Sequence, residues 1–154
     1  MNIALSADHR GTNVIKLLAE KLKGEGHHVD VLSDGDDREK DYPESAYLVA
    51  KAIAEGKDKL GILVCGTGIG MSIAANKYHG ARAAVAHDEM TAQLSRSHNN
   101  ANILCLSADL LGQRLIEKIV DVWLRTEFEG GRHARRIHKI EAIEAGKDPS
   151  TVSE

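Results

Sequence analysis

The residues with most chemistry to offer sit in one short run. An apolar stretch, Ile62 to Val64, stops at Cys65, and Gly66, Thr67, Gly68, Ile69 and Gly70 follow before the helical composition of Ser72 to Lys77. This pattern reads as buried strand, tight loop and helix start, the junction at which open parallel sheets bind ligands. Glycines let such a loop turn sharply and approach a ligand closely. Amides at a helix N-terminus favour an anion. Two readings of Cys65 stand: a small buried hydrophobe, or an ionisable thiol, the state that a helix N-terminus favours by stabilising thiolate. The glycine loop favours the second. Cys105, inside a later strand-like run, reads as a buried hydrophobe. The loop is neither a dinucleotide fingerprint nor a P-loop, because Met71 stands where the last glycine is needed and the Lys-Ser/Thr pair is missing.

Other reactive groups follow other strand-like runs. Asp8 and His9 come after the first, His87 and Asp88 after the fourth, and Ser107 and Asp109 after the fifth. Parallel strands deliver their carboxyl ends to one edge, so acid, thiol, imidazole and hydroxyl groups converge there as an active site would require. His98 lies at a helix C-terminus, where the dipole favours imidazolium. It reads equally as a proton donor or as a surface cap. Arg132 and Arg136 are one helical turn apart and share a face. Guanidinium forks hold phosphate, whereas a plain solvated helix start would not favour cations against its own dipole.

The elements that must position these groups alternate. Strands are expected at Asn2 to Ala7, His28 to Leu32, Gly61 to Cys65, Arg82 to Ala86 and Ile103 to Leu106. The first helix carries Val14, Leu17, Leu18 and Leu22 at helical spacing and closes at Gly24 and Gly26. Ser33 to Asp41 is an Asp-rich loop, and Pro43 suits a first helical turn, with Val49, Ala50 and Ile53 inward. A third helix runs from the glycine loop to about Tyr78, and a fourth from His87 to His98. Leu110 to Trp123 is apolar on nearly every side and is expected to be buried. Gly130 and Gly131 set off a last helix, Arg132 to Ala145, with Ile137, Ile140 and Ile143 along one side, free to reach a second subunit. Alternating strands and helices imply an α/β fold with a five-stranded parallel sheet. Residues 1–145 read as a single domain and 146–154 as a flexible C-terminal tail.

Composition narrows the classes. The 154 residues carry a net charge of −3 and are 42% hydrophobic, enough for a core. Neither a nucleic-acid nor a membrane partner is expected, no apolar run approaches a spanning helix, and the first residues read as a strand rather than a signal peptide. One Phe and one Trp leave little for base stacking. Two cysteines in separate strands fit free thiols and a cytoplasmic setting.

Together, Ser6-Ala7-Asp8-His9, Asp41-Tyr42-Pro43, Cys65 to Gly70, Ser72 to Lys77, Leu94 to Asn102 and Glu129-Gly130-Gly131-Arg132-His133 resemble the type B ribose-5-phosphate isomerases, whose family includes galactose-6-phosphate and allose-6-phosphate isomerases. The resemblance covers residues 2 to 145 in order. It implies a Rossmann-like three-layer αβα sandwich with a C-terminal helix extension, and a homodimer or dimer of dimers with active sites shared between subunits. It also implies no metal or organic cofactor. The implied reaction interconverts ribose 5-phosphate and ribulose 5-phosphate through an enediolate, in the non-oxidative branch of the pentose phosphate pathway. Carried over position by position, Cys65 matches the base that moves a proton between C1 and C2. His98 matches the residue that opens the sugar ring, assisted by Thr67 and Asp8. Asn99 and the amides of Gly66, Gly68, Ile69 and Gly70 match the groups around the enediolate oxygens. His9, Arg132 and Arg136 match the phosphate binders, and Tyr42 lines the pocket.

One position departs from that pattern. Many relatives carry an Arg after strand five, where this chain has Asp109, and an acid beside a phosphate is unfavourable. The departure leaves open a six-carbon substrate, allose 6-phosphate or galactose 6-phosphate. A non-enzymatic flavodoxin-like module with Asp8 as an acidic switch ranks lower, because a receiver would want a Lys where Ser107 and Asp109 stand.

Overall fold

The computed structural model describes residues 1–36 and 40–153. Part of the expected Asp-rich loop, residues 37–39, and the last residue of the expected tail lie outside the described residues. Five strands form one sheet: β1 (Asn2–Ala7), β2 (His28–Ser33), β3 (Leu60–Cys65), β4 (Ala83–Val85) and β5 (Ile103–Ser107). Every recorded pairing is parallel, in the order β2-β1-β3-β5-β4. The helices are α1 (Thr12–Gly24), α2 (Tyr42–Ala54), α3 (Ile69–Ala75), α4 (Glu89–Ser97), α5 (Gln113–Arg125) and α6 (Arg132–Glu144).

Strand alternation sorts side chains into two cores. Ile62 and Val64 pack with Ile15, Leu18 and Leu22 of α1, Ala92 of α4 and Ile116, Val120 and Trp123 of α5. Leu63 and Cys65 pack on the other face with Ala46, Val49 and Ala50 of α2 and Met71 and Ala75 of α3. The expected αβα sandwich is therefore observed. Strands β1 and β3 are neighbours, yet the helices that follow them cover opposite faces. The crevice between their carboxyl ends is the switch point at which such sheets take ligands.

Several expectations are corrected. The stretch expected to be buried nearly all round, Leu110 to Trp123, is one-sided. Helix α5 buries Ile116, Ile119, Val120 and Trp123, while Leu110 precedes the helix and is 64% exposed. Polar Arg114, Glu117, Lys118 and Asp121 recur at helical spacing and claim the outer face. Helix α3 stops at Ala75, short of Tyr78, because Asn76 pairs with Ala83 through both amide atoms and draws the chain into β4. On α6, expected to be free of its own sheet, no such correction is needed: Ile137 is buried and Ile140 and Ile143 are exposed. Within the tail, Asp148 caps a short 3-10 turn, Pro149–Thr151.

Candidate active site

The glycine loop leaves β3 at Cys65. The Cys65 side chain is 5% exposed, and its Sγ accepts the N–H of Gly68 at 3.1 Å. The sulfur is thus packed beside Met71 and Ala75 and still engaged by the loop that follows it. Gly68 has φ of 78° and its carbonyl accepts from Ser72, so this residue both turns the loop and starts α3. Thr67 is exposed, and its Oγ1 accepts the Ile69 N–H at 3.2 Å. Tyr42, opening α2, lies against Gly70: a Cβ at that position would meet the Tyr42 ring at 2.7 Å. Tyr42 therefore stands against the loop.

Asp8 and His9 arrive from β1 at the same end of the sheet. Asp8 is nearly buried, and its Oδ1 accepts the Arg10 N–H at 2.9 Å, while His9 is exposed. From β5, Ser107 donates to the Gly66 carbonyl at 2.6 Å and Asp109 N–H donates to the same carbonyl at 3.1 Å. Asp109 is neutralised by a residue that sequence reasoning did not single out. Arg10 gives it Nε at 3.2 Å and Nη2 at 2.8 Å, both to Oδ1. His87 Nε2 stands 3.5 Å from the Thr67 carbonyl oxygen. Asp88 belongs to the scaffold: it caps α4 by accepting from the Thr91 N–H, which holds its carboxyl below the ordinary value. Cys105 is fully buried, and burial pushes its thiol up.

The remaining expected residues lie at the other end. Helix α4 carries the chain from the carboxyl end of β4 to the amino end of β5. Arg96 anchors the turn, donating to the Asn100 side chain and the Ala101 carbonyl while lying over the Trp123 ring. Trp123 in turn donates Nε1–H to Ser95 Oγ at 3.2 Å. Asn100 takes a positive φ of 46°, which Asn tolerates after a helix end. This fixes His98 and Asn99 beside Asn102, whose carbonyl accepts from Gly61 at the start of β3. Gly61 pairs with Ile103 and Cys65 with Ser107, so about 13 Å of strand separates the two ends.

Helix α6 starts at this second end, because the Glu129 N–H donates to the Ser97 carbonyl at 3.0 Å. His133 stacks on His98 with centroids 4.1 Å apart and planes 8° from parallel. Glu129 lies beside both rings, 4.0 Å from His98 Nε2 and 3.5 Å from His133 Nε2. Burial pushes the His133 imidazole below its ordinary value, and His98, Arg132 and Arg136 add to that effect. Arg132 and Arg136 are exposed on the first turns of α6. One chain therefore brings together Asp8, His9, Tyr42, Cys65 and Gly66 to Gly70 at one end, and His98, Asn99, Arg132 and Arg136 at the other. Glu129 and His133 are additions to the second group that spacing did not reveal.

Among the described residues, His98, Glu129 and His133 are the group whose ligand atoms approach closely enough for a metal ion, all within 4.8 Å. Ring orientation argues against that use. In-plane lone pairs of two parallel rings run side by side, so an ion in one ring's plane lies far out of the other's, against bond lengths of about 2 Å. No described helix is long and apolar enough to cross a membrane.

Comparison with known proteins gives a consistent result. Residues 3–140 match the Ribose/Galactose Isomerase family. Ribose-5-phosphate isomerase B of Escherichia coli (strain K12) is 44% identical over 144 residues, covering 92% of this chain and 95% of that protein. D-erythrulose-4-phosphate isomerase of Pectobacterium atrosepticum is 42% identical over 141 residues, covering 91% and 93%. The crystal structure of ribose-5-phosphate isomerase B from Mycoplasma genitalium with bound ribulose-5-phosphate superposes with a TM-score of 0.90 at 44% identity, over 94% of this chain and 96% of that one. With fold, motifs and nearly the whole length in agreement, the chain belongs to the ribose/galactose isomerase family.

Proposed function

We propose that the protein is a cytoplasmic aldose-ketose isomerase that interconverts ribose 5-phosphate and ribulose 5-phosphate, with Cys65 as the base. The observation that carries this reading is the Cys65 sulfur at the strand end, held by the Gly68 N–H at 3.1 Å. Removing a proton next to a carbonyl needs a base within hydrogen-bond reach and fixed donors where the enediolate oxygen gains charge. The sulfur takes the proton from C2 of the open-chain aldose, the electron pair forms the C1–C2 double bond, and the carbonyl oxygen becomes the charged enediolate oxygen. A proton passes from the C2 hydroxyl to the charged O1, the carbonyl re-forms at C2, and the sulfur returns its proton to C1 to give the ketose, so no redox partner is needed. His98, with Thr67 and Asp8, moves the proton that opens the sugar ring. The loop amides from Gly66 to Gly70 and Asn99 hold the oxygens, and His9, Arg132 and Arg136 hold the phosphate.

This assignment requires two copies of the chain. Cys65 and His98 lie at opposite ends of one sheet, so a complete site forms when one protomer's glycine loop meets its partner's His98 and α6. Exposed Ile140 and Ile143 on α6 and the apolar groove they line with Asn76, Arg82 and Asn99, about 440 Å³, fit such an assembly. Turnover of ribose 5-phosphate by wild type and its absence in Cys65→Ala, with the fold intact by circular dichroism, is the test. Near-normal turnover in that variant rules out the base. A second reading, a different sugar phosphate, is favoured by the Arg10–Asp109 pair and by the relative that is a D-erythrulose-4-phosphate isomerase. Rates measured side by side on four-, five- and six-carbon sugar phosphates decide between them.

A further inference from the structure

Asp109 sits where an anionic substrate would meet it, yet the structure does not leave it as a bare carboxylate. Arg10 reaches it across 99 positions of sequence and places Nε and Nη2 on one oxygen, Oδ1. The other oxygen, Oδ2, lies against Gly66, 2.9 Å from where a Cβ would be. A side chain at position 66 would press on that carboxylate, and glycine leaves it room to rest there. The Arg10 backbone is fixed as well, since its N–H is held by Asp8. The guanidinium is thus fastened at both ends of its side chain over the first residue of the glycine loop. Its side chain is 54% exposed, and among the described residues its hydrogen bonds come from Nε and Nη2, leaving Nη1 available.

A structural tie does not account for this arrangement. The end of β5 is already bound to the loop, because Ser107 Oγ and Asp109 N–H both reach the Gly66 carbonyl. An exposed ion pair adds little stability on top of that. A guanidinium with one edge committed to a carboxylate and the other edge open is instead prepared for a second oxyanion, which it binds by directed, charge-assisted bonds.

We infer that Arg10 is a substrate-contacting residue, by which this chain's glycine-loop end grips the phosphate monoester of its sugar, and that Asp109 is the positioning residue that aims it. The inference rests on the isomerase reading and adds a specificity element to it. The carboxylate cancels the net charge of the pair, so attraction at this lip is short-ranged and geometric. Sugar phosphates whose chain length brings the phosphate onto the open guanidinium edge are selected over those that merely carry charge.

The test uses Arg10→Ala, Arg10→Lys and Asp109→Ala in the full-length protein. KM and kcat are measured on the best sugar phosphate, and inorganic phosphate binding is measured by calorimetry. Arg10→Ala is expected to raise KM and the phosphate Kd by about tenfold or more, the loss expected of a charge-assisted bond, with kcat little changed. Arg10→Lys restores little, because it keeps charge and loses the fork. Asp109→Ala breaks the same pair but leaves the guanidinium, so its KM rises less. Equal and small changes in KM for Arg10→Ala and Asp109→Ala, with unaltered phosphate binding, would make the pair a tie between loops and overturn the proposal. If wild type turns over no sugar phosphate, the isomerase reading fails, while the phosphate calorimetry still decides whether Arg10 holds an anion.

Discussion

The two ends of the sheet are built on different principles. At the carboxyl end, the groups that organise the candidate site are mostly backbone: Gly68 N–H on the sulfur, the Gly66 carbonyl tied to β5, and the loop turned by a positive φ. At the amino end they are long or ring side chains standing on helices, with His98 stacked on His133 and Arg132 and Arg136 exposed on α6. A backbone cradle is rigid and indifferent to what surrounds it. Side chains on a helix are adaptable but need a facing surface to become a site. Under the proposed isomerase reading, the backbone-built end receives charge and the side-chain end delivers protons and phosphate contacts.

That division can be attacked directly. Cys65→Ala removes the backbone-built end's base and should lower kcat by about a thousandfold or more, as loss of a positioned base does, with KM little altered. Mixing inactive Cys65→Ala with inactive Arg132→Ala should then restore activity if protomers share sites. Random pairing puts one intact site on half of the dimers, so recovery to about a quarter of wild type is expected in a dimer with C2 symmetry. No recovery after subunit exchange would place both residues in one protomer's site. Gly70→Ala presses a methyl onto the Tyr42 ring. It should cost about 1–2 kcal/mol of stability by overpacking and raise KM, read by urea unfolding and steady-state kinetics.

The smallest effects concern pH. Burial holds His133 below its ordinary value of 6.5, so as the pH falls the unfolded chain takes up that proton first. Stability from this group is full above about pH 6.5 and is lost as the pH falls through the window beneath it. Asp58 acts in the opposite sense. Burial, followed by Asp30, raises its carboxyl above the ordinary 3.8. The folded chain therefore keeps that proton longer, and stability falls as the pH rises from about 4. His133→Gln should flatten the first slope and Asp58→Asn the second, in urea midpoints measured across pH.

What sequence alone reveals follows the same division. The strand–loop–helix run through Cys65 is local, so apolar run, glycines and helical composition announce it together, and the structure places Thr67, Tyr42 and Asp8 at the same end of the sheet. The resemblance to a family supplied His98, Arg132 and Arg136, whose local patterns were ambiguous. Their location at the far end was hidden, because it depends on α4 running the length of the sheet. The contact of His133 with His98 depends on Gly130 and Gly131 folding α6 back under that helix. Asp109 looked like a misplaced charge for a related reason: its partner is 99 residues away. Helix α5 misled because Leu110 and Leu111 extend the apolar run ahead of it, while within the helix the buried positions are Ile116, Ile119, Val120 and Trp123.

Trp123 is the single tryptophan of the chain. It is fully buried, its indole N–H is held by Ser95, and the Arg96 guanidinium lies across its ring. That same guanidinium grips the turn bearing His98 and Asn99. The protein accordingly carries its own fluorophore at the side-chain end, joined through one guanidinium to the turn that bears His98 and Asn99. Its emission, recorded against protein concentration and added sugar phosphate, is therefore a label-free way to ask whether that turn responds to either.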